Sequence, residues 1–121
     1  MPIKKILVVD DSPTERYFLS ELLTRHGYAV SVAESAEDAG GKIRSAPPDL
    51  ILMDVVMPGQ NGFQFTRELA RDPATQAIPV IICTSKSQQT DRIWGLRQGA
   101  RDYVTKPVKA EELLEKIAAL G

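Results

Sequence analysis

Three aspartates stand directly after short apolar segments, where carboxylates can do chemistry in an α/β protein. Asp10 and Asp11 follow Ile6-Leu7-Val8-Val9, and Asp54 follows Leu50-Ile51-Leu52-Met53. Ligands of open parallel sheets bind beyond the carboxyl ends of the strands. If the two apolar segments are neighbouring strands, the three carboxylates therefore meet at one edge of the sheet.

Two other polar groups follow later apolar segments. Thr84 comes directly after Val80-Ile81-Ile82-Cys83, and Lys106 follows the short segment Tyr103-Val104. Thr84 supplies a hydroxyl donor, and Lys106 supplies a movable positive charge. Together with a carboxylate nucleophile, these groups suit phosphoryl transfer, because the protein's task in that reaction is mostly positioning and charge neutralisation.

Carboxylates held this close repel one another. Two unit charges about 4 Å apart cost about 4 kcal/mol at an effective dielectric near 20. A raised pKa, a nearby lysine or a bound cation can offset that repulsion. A few carboxylate oxygens, with positions left for water and phosphate, suit Mg²⁺. The set Asp10, Asp11 and Asp54 therefore predicts a Mg²⁺ site, with Lys106 as a further positive charge.

Each of these residues also has an ordinary structural explanation. An aspartate at a strand end commonly caps a helix, so Asp11 competes with Ser12 for the start of the first helix. A lysine before a proline is usually plain surface, and a lone threonine such as Thr84 indicates nothing by itself. Their joint placement on one predicted edge is what indicates a shared function.

The strands and helices that position these groups alternate along the chain. The predicted strands cover residues 6–9, 29–32, 50–53, 80–83 and 103–104; the predicted helices cover residues 13–26, 63–71, 88–98 and 110–120, and another opens at Ser35. Strands that alternate with helices predict a parallel sheet covered on both faces. The predicted fold class is α/β, a doubly wound, five-stranded parallel sheet of the flavodoxin-like (βα)₅ type with strand order 2-1-3-4-5.

Apolar spacing also predicts which helix faces turn inward. In the first helix, the apolar residues at helical spacing are Tyr17, Phe18, Leu22 and Leu23. In the fourth helix, Ile93 and Leu96 are predicted to point inward. Ser12 and Glu15 predict a capping box at the start of the first helix. Gly40-Gly41 predicts a weak or short second helix, because each glycine costs about 1 kcal/mol relative to alanine.

Composition narrows the possible partners. The chain has 121 residues and a formal net charge of −1. This balance gives neither the basic footprint of a nucleic-acid-binding protein nor a polybasic segment for anionic lipid. The apolar segments are far shorter than the roughly twenty residues that span a bilayer. Residues 1–5 contain no signal-peptide apolar region. We therefore expect a cytoplasmic protein with no nucleic-acid partner and no membrane insertion.

Two residue types common in catalysis occur once each. Cys83, the only cysteine, excludes an internal disulfide and lies in an apolar segment, which predicts a buried small hydrophobe. His26, the only histidine, stands at the predicted end of the first helix, where a positive charge is favoured. His26 is thus not placed at the acidic edge of the sheet.

Taken together, these residues resemble the receiver domains of response regulators, the CheY-like family. The matching segments are residues 8–12, residues 52–54 with Met57-Pro58 and Gly62, Thr84-Ser85, residues 99–103 and Lys106-Pro107. Each motif is weak singly, whereas the ordered set is specific and covers the whole chain. The resemblance implies a single receiver domain over residues 1–121 without an output domain.

The resemblance also implies a role for each residue of the acidic site. Asp54 matches the phosphoryl acceptor and Lys106 the lysine that pairs with the phosphoryl oxygens. Asp10 and Asp11 match the acidic pair that organises Mg²⁺, Asp11 directly and Asp10 through water. The backbone carbonyl of Val56 matches a third protein ligand to the ion, which Asp54 also contacts.

Further residues are implied to carry the signal. Thr84 matches the switch hydroxyl and Tyr103 the switch aromatic, and the Lys106-Pro107 bond is expected to be cis. The implied phosphodonor is a sensor histidine kinase, and the implied target is a protein that docks on the face of helix four, strand five and helix five. On this interpretation the chain is not an enzyme but a signalling domain, which catalyses only its own phosphoryl transfer and dephosphorylation.

A narrower resemblance comes from three segments. Residues 11–15, 57–64 and 94–101 are similar to the stand-alone regulators of the chemosensory system that controls twitching motility and type IV pili. Gly40-Gly41 departs from the family pattern, in which Ala or Leu is commoner in the second helix.

Three alternatives remain open at this stage. A haloacid-dehalogenase-like phosphatase would use Asp10 as nucleophile in an Asp-x-Asp-x-Thr pattern, but here the second aspartate falls one place early. A flavodoxin-like electron carrier needs a phosphate-binding loop after the first strand, where Asp10-Asp11 would repel phosphate. The third alternative is a receiver fold that serves as a binding module without phosphorylation.

Overall fold

The computed structural model describes residues 2–121. The strands are β1 (Lys5–Val9), β2 (Ala29–Ala33), β3 (Leu50–Met53), β4 (Val80–Thr84) and β5 (Asp102–Thr105). The helices are α1 (Pro13–Arg25), α2 (Ala36–Ser45), α3 (Gly62–Arg71), α4 (Gln89–Arg97) and α5 (Ala110–Leu120). The strands pair in parallel in the order β2-β1-β3-β4-β5. The predicted fold class and strand order are confirmed, and each predicted element bound lies within one residue of the observed one.

The sheet is buried on both faces, which explains why its central strands are continuous apolar runs. Successive side chains of a strand point to opposite faces. On one face, Leu7 and Ile51 pack with buried residues of α2 and α3, namely Ala39, Ile43, Phe65 and Leu69. On the other face, Val8 and Leu52 pack with buried residues of α1 and α5, namely Leu19, Leu23, Leu113 and Ile117.

The start of α1 differs in part from the predicted capping box. The Glu15 N–H donates to Ser12 Oγ at 3.3 Å, so Ser12 rather than Asp11 caps the helix. The reciprocal half of the box is wrong, because the Ser12 N–H donates to Asp10 Oδ1 at 2.9 Å. This hydrogen bond connects Ser12, the cap residue of α1, to the acidic edge of the sheet.

The predicted inner face of α1 is partly wrong. Tyr17 is 70% exposed and Phe18 is 42% exposed, whereas Leu19 and Leu23 are fully buried. Residues four apart share a helix face, and each step turns the helix by about 100°. The pair Leu19 and Leu23 therefore defines the buried face, and Tyr17 and Phe18 are rotated away from it.

The predicted inner face of α4 is also wrong. Ile93 is 44% exposed and Leu96 is 47% exposed. The buried residue of this helix is Gly95. A Cβ at position 95 would lie 2.8 Å from Ile82 Cδ1 and 3.1 Å from two ring carbons of Tyr103. Because α4 approaches the sheet so closely through Gly95, its larger apolar side chains turn outward.

The second helix is not shortened by its two glycines. α2 runs for 10 residues through Gly40 and Gly41, the same length as α3. Ser35 Oγ accepts from the Asp38 N–H at 3.1 Å at its start, and Ala39 and Ile43 anchor its inner face. Packing of the apolar face thus offsets the low helix propensity of glycine.

Within residues 2–121, no helix is both long and apolar enough to span a membrane.

Candidate functional site

The register of the sheet brings the predicted residues to one edge. Val9 pairs with Met53, so Asp10 and Asp54 are the next residues along neighbouring strands. The Asp54 N–H donates to the Val9 carbonyl at 2.9 Å. The last paired residue of β4 is Thr84, whose carbonyl accepts from the Lys106 N–H at 2.8 Å. The site is therefore assembled from β1, β3, β4 and the end of β5.

Asp10, Asp11 and Asp54 form the predicted acidic cluster. One carboxylate oxygen from each residue lies within 4.8 Å of the others. Asp10 and Asp54 are buried, whereas Asp11 is exposed. The cluster therefore has an open side, formed by Asp11, through which an ion or a phosphoryl group can approach.

Lys106 lies across the two buried carboxylates. Its Nζ is 2.7 Å from Asp10 Oδ2 and 3.5 Å from Asp54 Oδ2. Burial on its own would lower the pKa of the Lys106 ammonium, but the hydrogen bond to Asp10 and the charges of Asp54 and Asp10 outweigh that effect and raise the pKa. Lys106 is therefore charged at neutral pH and offsets part of the repulsion between the acids.

Asp54 ionises less readily than an ordinary aspartate. Burial raises the pKa of its carboxyl, and the neighbouring charge of Asp10 raises it further. Lys106, the Thr84 hydroxyl and the Val55 N–H, which donates to Asp54 Oδ1 at 2.8 Å, oppose this rise. The net rise means that a cation beside Asp54 would favour its reactive, ionised form.

The donor set of the acidic cluster fits Mg²⁺. Asp10, Asp11 and Asp54 offer hard carboxylate oxygens, and the grouping contains neither a thiolate nor an imidazole. Oxygen donors of this kind suit Mg²⁺ or Ca²⁺ rather than zinc. The Val56 side chain is exposed on the loop directly after Asp54. That the Val56 carbonyl binds the ion stays a prediction.

Gly62 fixes the loop that follows Asp54. A Cβ at position 62 would lie 2.0 Å from the Asp54 carbonyl oxygen. The Gly62 N–H donates to the Val55 carbonyl at 2.9 Å. No side chain fits between the end of β3 and the start of α3, which explains in physical terms why glycine occupies this position.

Thr84 and Tyr103 are both connected to Lys86. Thr84 is fully buried, and its Oγ1 accepts from the Lys86 N–H at 3.4 Å. Tyr103 is buried, and its hydroxyl donates to the Lys86 carbonyl at 2.7 Å. Arg92 covers the Tyr103 ring at 5.4 Å from its centroid. A shift of either side chain therefore acts on the same backbone segment.

Cys83 lies in β4 but is not a reactive group. Burial raises the pKa of its thiol to about 12. The thiol thus stays protonated at neutral pH, which suits the predicted buried hydrophobe and not a nucleophile. The Lys106-Pro107 peptide bond is cis, as the resemblance implied.

A comparison with protein families identifies the family of the chain. The model of the response regulator receiver domain matches residues 6–118. The chain belongs to the response regulator receiver domain family. Receiver domains are signalling modules of two-component systems, and the predicted resemblance to this family is confirmed.

Individual receiver proteins show the same relationship. The chain is 57% identical to Protein PilH of Pseudomonas aeruginosa over 96% of each chain. It is 38% identical to the phosphate regulon transcriptional regulatory protein PhoB of Escherichia coli, over 97% of this chain and 51% of that protein. Its fold is similar to the chemotaxis protein CheY4 of Vibrio cholerae, with a TM-score of 0.90, 29% identity and coverage of 98% and 99% of the two chains.

Sequence reasoning missed two sets of contacts that hold this site together, those of Arg16 and those of the Lys86 main chain. Arg16 Nη1 donates to the Asp10 carbonyl at 2.7 Å. Lys86 supplies the backbone groups that bind both Thr84 and Tyr103. Arg16 could have been found from its position one turn after the cap, since α1 begins beside Asp10. Lys86 gives no such signal, because it acts only through its main chain.

Proposed function

We propose that this receiver domain is a phosphorylation-dependent signalling switch in which Asp54 accepts the phosphoryl group. The observation that carries the proposal is the meeting of three carboxylate oxygens within 4.8 Å, with the Lys106 ammonium 2.7 Å and 3.5 Å from the two buried ones. Asp54 directly follows the central strand β3, between the acidic pair after β1 and Thr84 at the end of β4. Lys106 Nζ lies closer to Asp10 Oδ2, at 2.7 Å, than to Asp54 Oδ2, at 3.5 Å, so Asp54 is the less tightly paired of the two buried carboxylates and the better placed to attack.

Mg²⁺ is the proposed cofactor. Asp10, Asp11 and Asp54, with the Val56 carbonyl, would hold the ion. When bound, Mg²⁺ neutralises charge on the phosphoryl oxygens during transfer. The exposed side of the cluster at Asp11 leaves room for water and phosphate oxygens.

The phosphodonor is proposed to be the phosphohistidine of a sensor histidine kinase, since the receiver family accepts phosphoryl groups from such kinases. An Asp54 oxygen attacks the phosphorus in line, an O–P bond forms and the P–N bond to the kinase histidine breaks. The kinase imidazole leaves with the electron pair of that bond and takes a proton from solvent. Lys106 and the Thr84 hydroxyl stabilise the charge on the transferred group.

The output is proposed to run through Thr84 and Tyr103. A phosphoryl group on Asp54 attracts the Thr84 hydroxyl, which frees space for Tyr103 to move. Tyr103 is connected through Lys86 to the segment before α4, and its ring lies 3.1 Å from where a Cβ at position 95 of α4 would stand. The population then shifts between two packings of the face formed by α4, β5 and α5, on which a downstream protein docks.

The biological role is proposed to lie in the control of twitching motility and type IV pili. Two observations support it: the similarity of residues 11–15, 57–64 and 94–101 to stand-alone regulators of that system, and the 57% identity to Protein PilH over 96% of each chain. Because the proposed kinase histidine and the receiver must meet in one compartment, the proposed location is the cytoplasm.

The test of this proposal is to locate the phosphoryl group. The protein is incubated with a small acyl-phosphate donor and Mg²⁺, and the modified residue is identified by mass spectrometry. We expect one acid-labile phosphoryl group on Asp54, loss of labelling in Asp54→Asn, and unchanged labelling in the control Asp91→Asn, which removes a carboxylate on α4. Label on Asp10 would instead indicate a phosphatase-like nucleophile, and equal labelling of Asp54→Asn would contradict the proposal.

A further inference from the structure

A second site lies apart from the acidic cluster, in the cleft between α3 and α4. This α3–α4 cleft has a volume of about 420 Å³ and is lined by Arg67 and Arg71 of α3 and by Trp94 and Arg97 of α4. All four side chains are exposed at its rim. The mechanism proposed for Asp54 uses none of them.

The charges of the α3–α4 cleft are not balanced within the protein. None of Arg67, Arg71 and Arg97 forms a salt bridge with any residue in the part of the chain from 2 to 121. Arg67 and Arg71 are four residues apart, a spacing at which like charges destabilise a helix. The two acids adjacent in sequence bind elsewhere: Glu68 accepts from Gln60 Nε2 at 2.6 Å, and Asp72 Oδ1 accepts from the Ala74 N–H at 2.9 Å. The cleft therefore holds three positive charges in a chain whose net charge is −1.

An aromatic surface lies beside these charges. Trp94 is 50% exposed and precedes Arg97 by three residues, so both project from the same side of α4. Tryptophan and arginine are the residue types most enriched in the energetically dominant part of protein interfaces. A half-exposed indole next to guanidinium groups can therefore bind an apolar side chain within an otherwise polar contact.

The shape of the α3–α4 cleft favours an extended ligand. Gly99 has a φ of +112°, and a Cβ at this position would lie 2.8 Å from Ala70 Cβ, so the two helices approach each other closely where these small residues line the cleft. The outer side is open, with exposed arginines on both rims. Small-molecule sites are lined mainly by apolar side chains with few charged groups, whereas three arginines line this cleft.

From this charge complementarity we propose that the α3–α4 cleft binds an acidic segment of a partner protein. Carboxylates of the segment pair with Arg67, Arg71 and Arg97, and an apolar side chain lies against Trp94. Guanidinium groups suit this task because they bind carboxylates in a bidentate manner. The inference goes beyond the function proposed for Asp54 and does not depend on phosphorylation.

Trp94 also provides the measurement, since it is the only tryptophan of the chain. Peptides are selected from a random display library on the immobilised protein and then titrated in solution while the Trp94 fluorescence is recorded. We expect the selected peptides to be rich in Asp and Glu, with at least one large apolar residue. We expect their affinity to fall steeply when salt is raised to about 1 M, where charges more than about 3 Å apart are screened.

Charge-reversal variants connect that binding to the cleft. Arg67→Glu/Arg71→Glu is expected to weaken the selected acidic peptides by about tenfold or more. Arg67→Gln/Arg71→Gln, which keeps side-chain size and polarity, is expected to weaken them less. The control Arg25→Glu/Arg44→Glu changes the net charge by the same amount on α1 and α2 and should leave the affinity unchanged. Far-UV circular dichroism shows whether each variant is folded.

Several results would overturn the inference. The first is a selection that yields no peptide, or no acidic peptide. The second is equal weakening of peptide binding by Arg67→Glu/Arg71→Glu and by the control Arg25→Glu/Arg44→Glu. The third is a nucleoside triphosphate that changes the Trp94 fluorescence at a lower concentration than any acidic peptide does. The last result would assign the cleft to a small phosphate-bearing ligand. Because the Asp54→Asn variant can be used throughout, failure here leaves the proposed phosphorylation untouched.

Discussion

Asp54 lies where burial and a neighbouring negative charge both oppose its ionisation. The raised pKa means that the folded protein binds the Asp54 proton more tightly than the unfolded chain does, whose value is close to 3.8. Stability is therefore lost as the pH rises from about 3.8 through the folded pKa, and the cost is fully present above it. Burial of Asp54 beside Asp10 therefore weakens the metal-free fold at neutral pH.

This cost can be measured with Asp54→Asn. We expect the variant to have a higher free energy of unfolding than the parent at pH 7, because the amide carries no charge. The difference should disappear as the pH falls below about 3.8, where Asp54 is protonated in both states. Urea unfolding across this pH range, without metal, measures the difference.

Two measurements test whether the charge of Asp54 lowers the free energy of unfolding. Asp49 is a matched control, because the Lys4 and Lys5 N–H groups lower the pKa of its carboxyl. Asp49→Asn should therefore destabilise the protein at pH 7, the opposite sign to Asp54→Asn. An Asp54→Asn variant that is less stable than the parent at neutral pH would contradict the assigned electrostatic cost.

The residues of the acidic site could be predicted from the sequence, whereas the residues that hold them in place could not. Asp10, Asp54 and Thr84 were predictable because each directly follows an apolar run, and a parallel sheet brings such positions to one edge. Arg16 and Lys86 were not predictable to the same degree. Their contacts depend on where a long side chain or a main-chain group lies after the helix and loop have folded.

At the scale of elements, α4 packs closely against the sheet because residue 95 has no side chain. Gly95 brings the helix against Ile82 and the ring of Tyr103. Apolar periodicity predicted the opposite arrangement, with Ile93 and Leu96 inside, because periodicity gives weight to large residues and none to glycine. The buried face of α1 was misjudged in a similar way, since the exposed aromatics Tyr17 and Phe18 carry as strong an apolar signal as Leu19 and Leu23.

Two glycine-to-alanine substitutions test this packing. Gly95→Ala should lower the free energy of unfolding by about 1–3 kcal/mol, because its methyl group overlaps Ile82 and Tyr103. Gly41→Ala should raise it by about 0.4–1 kcal/mol, because no atom beyond its own helix and chain neighbours lies within 4 Å of a Cβ there. Urea denaturation of both variants provides the comparison.

Both glycines lie within helices, so helix propensity alone favours alanine at either position. A stabilising Gly95→Ala would therefore mean that α4 does not pack through this residue. A destabilising Gly41→Ala would mean that α2 needs glycine for a reason absent from its local surroundings. The expected opposite signs separate packing from propensity.

At the scale of the whole molecule, the site depends on almost the entire sheet. Its groups come from β1, β3, β4 and the end of β5, so a cation bound there holds the folded state together. We expect Mg²⁺ at one hundred times its dissociation constant to raise the free energy of unfolding by about 2.7 kcal/mol. Thermal unfolding with and without Mg²⁺, followed by removal of the ion with a chelator, measures the change.

The same experiment identifies the ligands. Asp11→Asn should reduce the stabilisation by Mg²⁺ strongly, because Asp11 forms the exposed side of the cluster. Glu115→Gln on α5, which also removes an exposed acid, should leave it intact. If both variants respond to Mg²⁺ as the parent does, the ion acts by general screening and not at the cluster.

The order in which the sheet is built along the chain affects how the protein is made. A nascent chain on the ribosome that has completed β1 and β3 already contains Asp10 and Asp54, which the pairing of those strands would bring together. Lys106, the positive charge that lies between them in the finished protein, is synthesised more than 50 residues after Asp54. The pair Asp10 and Asp54 therefore lacks its balancing positive charge until β5 and Lys106 have been synthesised, and until then repulsion between the two carboxylates opposes the pairing of β1 with β3.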